Sequence, residues 1–205
     1  MALSNERVKF SWYGISVECP ADWQIGINPK EPPSTLGGFV RLENFVPRKG
    51  SDVSLGINWQ KQPTTNLEFA ENYAKNLEGQ FQKQFRKTPY KITTLEVIDF
   101  LDGKAVYSES EHIGVQGLVR SKKDQAVKTI QLAYYDEPSK HVVVLSIIGT
   151  LEIFETEYEA LKEIIFSLRF EPIRVIQDDS QQLTGDAVDL ESPEMEEVSE
   201  APAEE

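Results

Sequence analysis

The stretch His141-Val-Val-Val-Leu-Ser-Ile-Ile-Gly149 decides the fold of this chain. Successive side chains along a strand point to opposite faces of a sheet. In this stretch both sets of alternating positions are apolar. A strand with two apolar faces has to be covered on both sides, because a solvated face would leave half of it in water. The reading predicts a sheet with helices on each face.

Working outward, the neighbouring segments supply that sheet. Asp136-Glu137-Pro138-Ser139 is a turn, and 126–135 upstream of it is a long strand. Segments 92–101 and 104–113 flank Asp102-Gly103, a two-residue hairpin signal of type I′. Gly114 to Gly117 breaks the pattern, and 119–123 reads as a further turn. Downstream, Phe154, Tyr158, Leu161, Ile165 and Leu168 recur at spacings of three and four. They predict a helix over 155–168, with Thr156 and Glu159 as its capping box and Pro172 ending the ordered part.

Further upstream, Thr65 and Glu68 form another capping box. Leu67, Ala70, Tyr73, Ala74, Leu77, Phe81 and Phe85 then form an apolar stripe, predicting a helix over 66–86 that Thr88-Pro89 stops. Val53, Leu55, Ile57 and Trp59 alternate with polar or small residues, the pattern of a half-buried strand over 53–60. Segments 8–11, 15–19, 23–28 and 39–45 are short strands. The first two are parted by Gly14, and the second is stopped by Pro20. The loop 29–38 holds three prolines and two glycines, so it is turn-rich and exposed, and 47–51 is a basic turn.

The chain has 205 residues and a formal net charge of −13. That charge is concentrated: residues 171–205 hold 12 acidic residues and one basic residue, a net of −11. Residues 1–170 are therefore close to neutral at −2. The acidic stretch has no aromatic residue and no apolar repeat, so it predicts a disordered tail after one domain of residues 1–170. The tail is either solubilising or an interaction segment using Val188, Leu190, Met195 and Val198. The acidic balance argues against nucleic-acid binding. The N-terminus is too polar for a secretory signal, no apolar run reaches membrane-spanning length, and one cysteine allows no intrachain disulfide. A cytoplasmic protein is expected.

The string Phe10 to Trp23, with Tyr13-Gly14, Ser16, Pro20 and Trp23, resembles the opening of PsbP-like proteins. The 141–148 strand followed by Gly149-Thr150 is similar to the same group. So is the closing helix with Ile164-Ile-Phe-Ser-Leu-Arg-Phe170. That superfamily includes the photosystem extrinsic protein, DcrB-type proteins, a Ran-binding import factor and Eag-type secretion adaptors. The resemblance spans about residues 6–170. It implies an α+β fold with an antiparallel sheet between helices, an α/β/α sandwich. It also implies binding, adaptor or assembly work without a shared catalytic set, and so carries no functional residue over.

The residues themselves offer little chemistry. On a strand, Glu109 and Glu111 share one face and His112 points to the other, poor geometry for a three-ligand metal site. His141 reads as a strand-end polar residue and Cys19 as a small buried one. No phosphate-binding, hydrolase or metalloprotease motif occurs, so no catalytic, cofactor-binding or metal residue is assigned and no cofactor is expected. Two basic clusters are candidate partner-binding residues: Arg86, Lys87 and Lys91, with Lys83, and Arg120, Lys122 and Lys123, with Lys128. Helix-dipole pairing and a solvated turn explain the same clusters without a partner.

The expectation is a non-enzymatic adaptor or assembly protein that binds a protein partner through a sheet face or edge and the 29–38 loop. Two alternatives stand beside it. One is an Eag-like chaperone shielding an apolar client segment in an apolar groove. The other is a small-molecule binder or enzyme with a pocket near His112 or Cys19.

Overall fold

A computed structural model describes residues 3–45, 50–84, 90–113 and 126–171. Most of the turn at 47–51, the stop at Thr88-Pro89, the break at 114–117, the turn at 119–123 and the acidic stretch after Glu171 lie outside the described residues.

The elements follow in order β1 (Arg7–Trp12), β2 (Ile15–Pro20), β3 (Gln24–Ile27), β4 (Gly37–Glu43), β5 (Val53–Lys61), α1 (Asn66–Gln84), β6 (Tyr90–Phe100), β7 (Gly103–Ile113), β8 (Ala126–Asp136), β9 (His141–Thr150), α2 (Leu151–Phe166) and β10 (Arg169–Phe170). A seven-stranded antiparallel sheet runs β3-β4-β5-β9-β8-β7-β6. A three-stranded sheet runs β1-β2-β10. The chain is α+β, and β9 lies at the centre of the large sheet, as its two apolar faces require.

The two faces of β9 feed two separate cores. Val143, Leu145 and Ile147 are fully buried with Leu55, Ile57 and Trp59 of β5 and with Phe154, Leu161, Ile164 and Ile165 of α2. The small sheet adds Phe10, Ile15, Val17 and Cys19 to that core. On the other face, Val142 and Val144 pack with Val106, Ala133 and Tyr135, and with Phe69, Ala70 and Tyr73 of α1.

That second face is less covered than the sequence implies. Val144, Ser146 and Ile148 are only half-buried. The reason is reach: α1 contacts β6, β7 and β8, and one helix spans too little of a seven-stranded sheet to cover β9, β5 and β4 as well. Within α1, Ala70 and Leu77 are buried, whereas Leu67 is exposed and Phe69 is buried instead. Phe85 lies outside the described residues.

Two predicted boundaries move. The β6–β7 turn is Leu101-Asp102, because Phe100 pairs with Gly103, and the positive φ falls on Leu101 at 51°. Gly103 belongs to the strand because Asn66 occupies its free space; a Cβ there would lie 2.6 Å from Asn66 Oδ1. Likewise α2 starts four residues early, at Leu151. Thr150 ends β9 and caps the helix, its Oγ1 accepting from Ile153 N at 3.4 Å. Thr156, expected at the helix start, is inside it; its hydroxyl donates to Glu152 O at 3.2 Å, beside a kink at Glu157.

Candidate functional site

The uncovered part of the second face is a groove of about 630 Å³ beside α1. Strand alternation supplies its floor: Val142, Val144, Ser146 and Ile148 of β9 and Gly56, Asn58 and Gln60 of β5. Helix spacing supplies one wall, since Phe69, Asn72, Tyr73 and Asn76 follow at three and four. Phe39 of β4 closes the opposite side, and a Cβ on Gly56 would come within 3.0 Å of its ring. Glycine at 56 thus lets an aromatic ring lie across the sheet.

Among the described residues no charged one lines this groove, and six carboxamides do. Gln131 is committed, accepting from Tyr73 OH at 3.1 Å and donating to Ser146 Oγ at 2.9 Å. Burial pushes the Tyr73 hydroxyl up to about 12, so it stays a neutral donor at physiological pH. Asn58, Asn72 and Asn76 are exposed. The groove therefore combines half-buried apolar surface with exposed, uncharged donors and acceptors.

The groove continues under the 29–38 loop. Phe39, Asn58 and Gln60 also line a cavity with Asn28, Pro32 and Leu36. This loop is tied down more firmly than its composition suggests. Tyr13 OH donates to Pro33 O at 3.0 Å, Trp59 Nε1 donates to Ser34 O at 2.9 Å, and His141 Nε2 lies 2.7 Å from Thr35 O. Three rings, from the β1–β2 turn, β5 and β9, thus hold three successive carbonyls.

The opposite face carries a polar cluster. Glu109 sits there on β7 with its side chain 9% exposed, and Lys128 Nζ of β8 is 2.6 Å from its Oε2. Tyr107 OH donates to Oε1 at 2.7 Å, and Tyr158 OH of α2 donates to the same oxygen. Burial alone would raise the Glu109 pKa, but Lys128 and the two hydroxyls hold it below the usual carboxylate value. Lys128 also lies 4.8 Å from the centre of the Tyr158 ring. Every group in the cluster points at another, so its evident role is to pin α2 to the sheet.

Of the candidate partner-binding residues, Lys91 is exposed on β6, and Arg86, Lys87, Arg120, Lys122 and Lys123 lie outside the described residues. Lys83 is exposed on the last turn of α1, and Lys128 belongs to the buried pair. His112 and Cys19 are buried and line neither the groove nor the cavity beside it. Burial lowers the His112 pKa and raises that of Cys19. Sequence reading missed the groove because its residues come from β4, β5, α1, β8 and β9. Its one local signal was Ser146, a polar residue in an apolar strand.

No family model matches the sequence, and no curated protein matches it. The fold does have solved counterparts. The solution structure of cyanobacterial PsbP from Synechocystis sp. PCC 6803 is similar at 13% identity with a TM-score of 0.55, covering 83% of this chain and 94% of that one. The crystal structure of the Ran-binding protein Mog1p from Saccharomyces cerevisiae is similar at 12% identity with a TM-score of 0.53, covering 82% and 96%. The fold of this chain is PsbP-like.

Proposed function

We propose that this chain is a non-enzymatic adaptor or assembly protein that binds a protein partner in the groove beside α1. The observation that carries the reading is the half-covered second face of β9. Val144 and Ile148 are half-buried there beside Phe39 and the exposed amides of Asn58, Asn72 and Asn76. A partner segment laid beside α1 would complete the helix layer on that face and find hydrogen-bond partners along the wall. Mog1p, which has the same fold, is described as a Ran-binding protein.

An uncharged groove with six carboxamides suits a partner segment of mixed polarity. It suits a wholly apolar client segment less well, since the amides would lose water without replacement bonds, so the chaperone reading ranks second. The Glu109 cluster gives the enzyme reading little support, because its groups are occupied with one another. No helix of the described residues is long and apolar enough to cross a membrane, and the protein acts in the cytoplasm on this reading. The acidic stretch 171–205 is an appendage of a domain spanning 1–170, and the two basic clusters are secondary contact points.

Site-specific photocrosslinking in cells tests this. A photoreactive residue at Asn58 or Asn72 should give discrete protein adducts. One at Glu159, exposed on α2 across the sheet, should not. Equal adducts from all three positions, or none from the groove, would refute groove binding.

A further inference from the structure

The β1–β2 turn, the β6–β7 turn and the β8–β9 turn meet β10 around a second cavity of about 550 Å³. Tyr13, Ile15, Leu101, Pro138 and Phe170 form its apolar walls. Its charged residues are Asp102, Asp136, Glu171 and Arg169.

These carboxylates differ in how they are satisfied. Glu171 is ion-paired with Lys9 and accepts from Ser16 Oγ at 3.3 Å. Asp102 accepts from Tyr134 OH at 2.5 Å. The Arg169 guanidinium is engaged with backbone, its Nη1 donating to Phe166 O at 3.0 Å and Leu168 O at 2.7 Å. Asp136 is different. It is only 7% exposed and its Oδ2 accepts from Ser139 N at 2.9 Å. No lysine, arginine or histidine nitrogen of the described residues lies within 4.0 Å of it. Asp136, a residue more than nine-tenths buried, thus stands on a cavity wall with one neutral hydrogen-bond donor and no ion-pair partner among the described residues. Buried charges are normally paired, so the missing partner is a cation.

We propose that this cavity binds an organic cation, an ammonium or guanidinium on an apolar stem, with Asp136 as its counter-charge. The walls match the two halves of such a ligand. Asp136 meets the charge, Ile15, Leu101 and Pro138 take the stem, and the rings of Tyr13 and Phe170 offer faces that attract cations. A bare metal ion fits less well, since no group of three or more His, Cys, Asp or Glu side chains among the described residues could hold one. The Tyr134 hydroxyl beside the cavity senses the same field. Burial raises its pKa, and Asp102, Asp136 and Glu137 raise it further. The ligand is either a free small amine or the side chain of a lysine or arginine on a partner.

NMR titration of the full chain distinguishes these outcomes. Benzamidine is compared with neutral benzamide, and an acetyl-Gly-Arg-Gly-amide peptide with its citrulline counterpart. The cations should shift amides of residues 13–15, 136–139 and 169–170, and the neutral analogues should not. Asp136→Asn keeps an acceptor for Ser139 N and should weaken binding at least tenfold. Leu101→Arg, which sets a fixed guanidinium at the rim, should do the same and decides the matter if Asp136→Asn does not fold. Tighter binding of the arginine peptide points to a partner side chain, and tighter binding of benzamidine to a free amine. No shift with either cation, equal shifts with the neutral analogues, or undiminished binding by the variants overturns the proposal.

Discussion

Glu109 is a carboxylate held ionised by Lys128 and two tyrosine hydroxyls. Its folded pKa is depressed below the unfolded value of about 4.3. The pair therefore adds stability above that value and loses it as pH falls through the folded pKa. Lys128→Met would strand Glu109 uncompensated and should lower stability by about 3–5 kcal/mol at pH 7. Urea unfolding should show that deficit shrinking below about pH 4, as Glu109 takes up a proton. Adding Glu109→Gln should restore much of it at pH 7. An unchanged midpoint in Lys128→Met would mean that the pair is dispensable. Sequence reading placed Glu109 and Glu111 on one face correctly. The Tyr158 and Lys128 partners were not legible, because they lie 49 and 19 positions away along the chain.

At the element scale, α1 is anchored through one residue that no stripe or capping motif singles out. Asn66 Nδ2 donates to Lys104 O at 3.0 Å and Tyr135 O at 2.8 Å, and its Oδ1 accepts from Lys104 N at 2.6 Å. Half of the expected capping box appears beside it, with Glu68 N donating to Thr65 Oγ1 at 3.3 Å. Asn66→Ala should lower stability by about 1–3 kcal/mol by leaving buried backbone groups unpaired. Gly103→Ala should also destabilise, because its methyl would displace Asn66. In the Asn66→Ala background the Gly103→Ala loss should largely vanish, and chemical unfolding of the four proteins measures this coupling. Additive losses would mean that the clash is not with Asn66. Except for the two-residue β10, the strands were legible from alternation and turn residues to within a residue or two. The start of α2 was not, because a capping signal at Thr156 competes with the direct strand-to-helix passage at Thr150.

For the whole molecule, charge and fold are unevenly shared. The stretch 171–205 carries −11 of the −13. If it competes with a partner for the basic clusters, truncation after Glu171 should raise partner affinity several-fold at low salt. That gain should disappear near 1 M salt, where the screening length is about 3 Å. Equal affinity of both chains at every salt concentration would exclude such competition. Truncation there leaves the Glu171 N to Gly14 O bond at 2.7 Å intact.

The amino-acid sequence determined by itself the α+β class, the central place of the 141–149 strand, the two helices and the location of the charge. Each follows from short-range periodicity or from counting. Tertiary structure alone decided how far α1 reaches across the sheet, and therefore that a groove exists. It also decided that Glu109 pairs with Lys128 and Glu171 with Lys9, and that the buried Asp136 has no ion-pair partner among the described residues. The physical reason is that pairing and coverage depend on distances between strands remote in sequence, which local pattern does not encode.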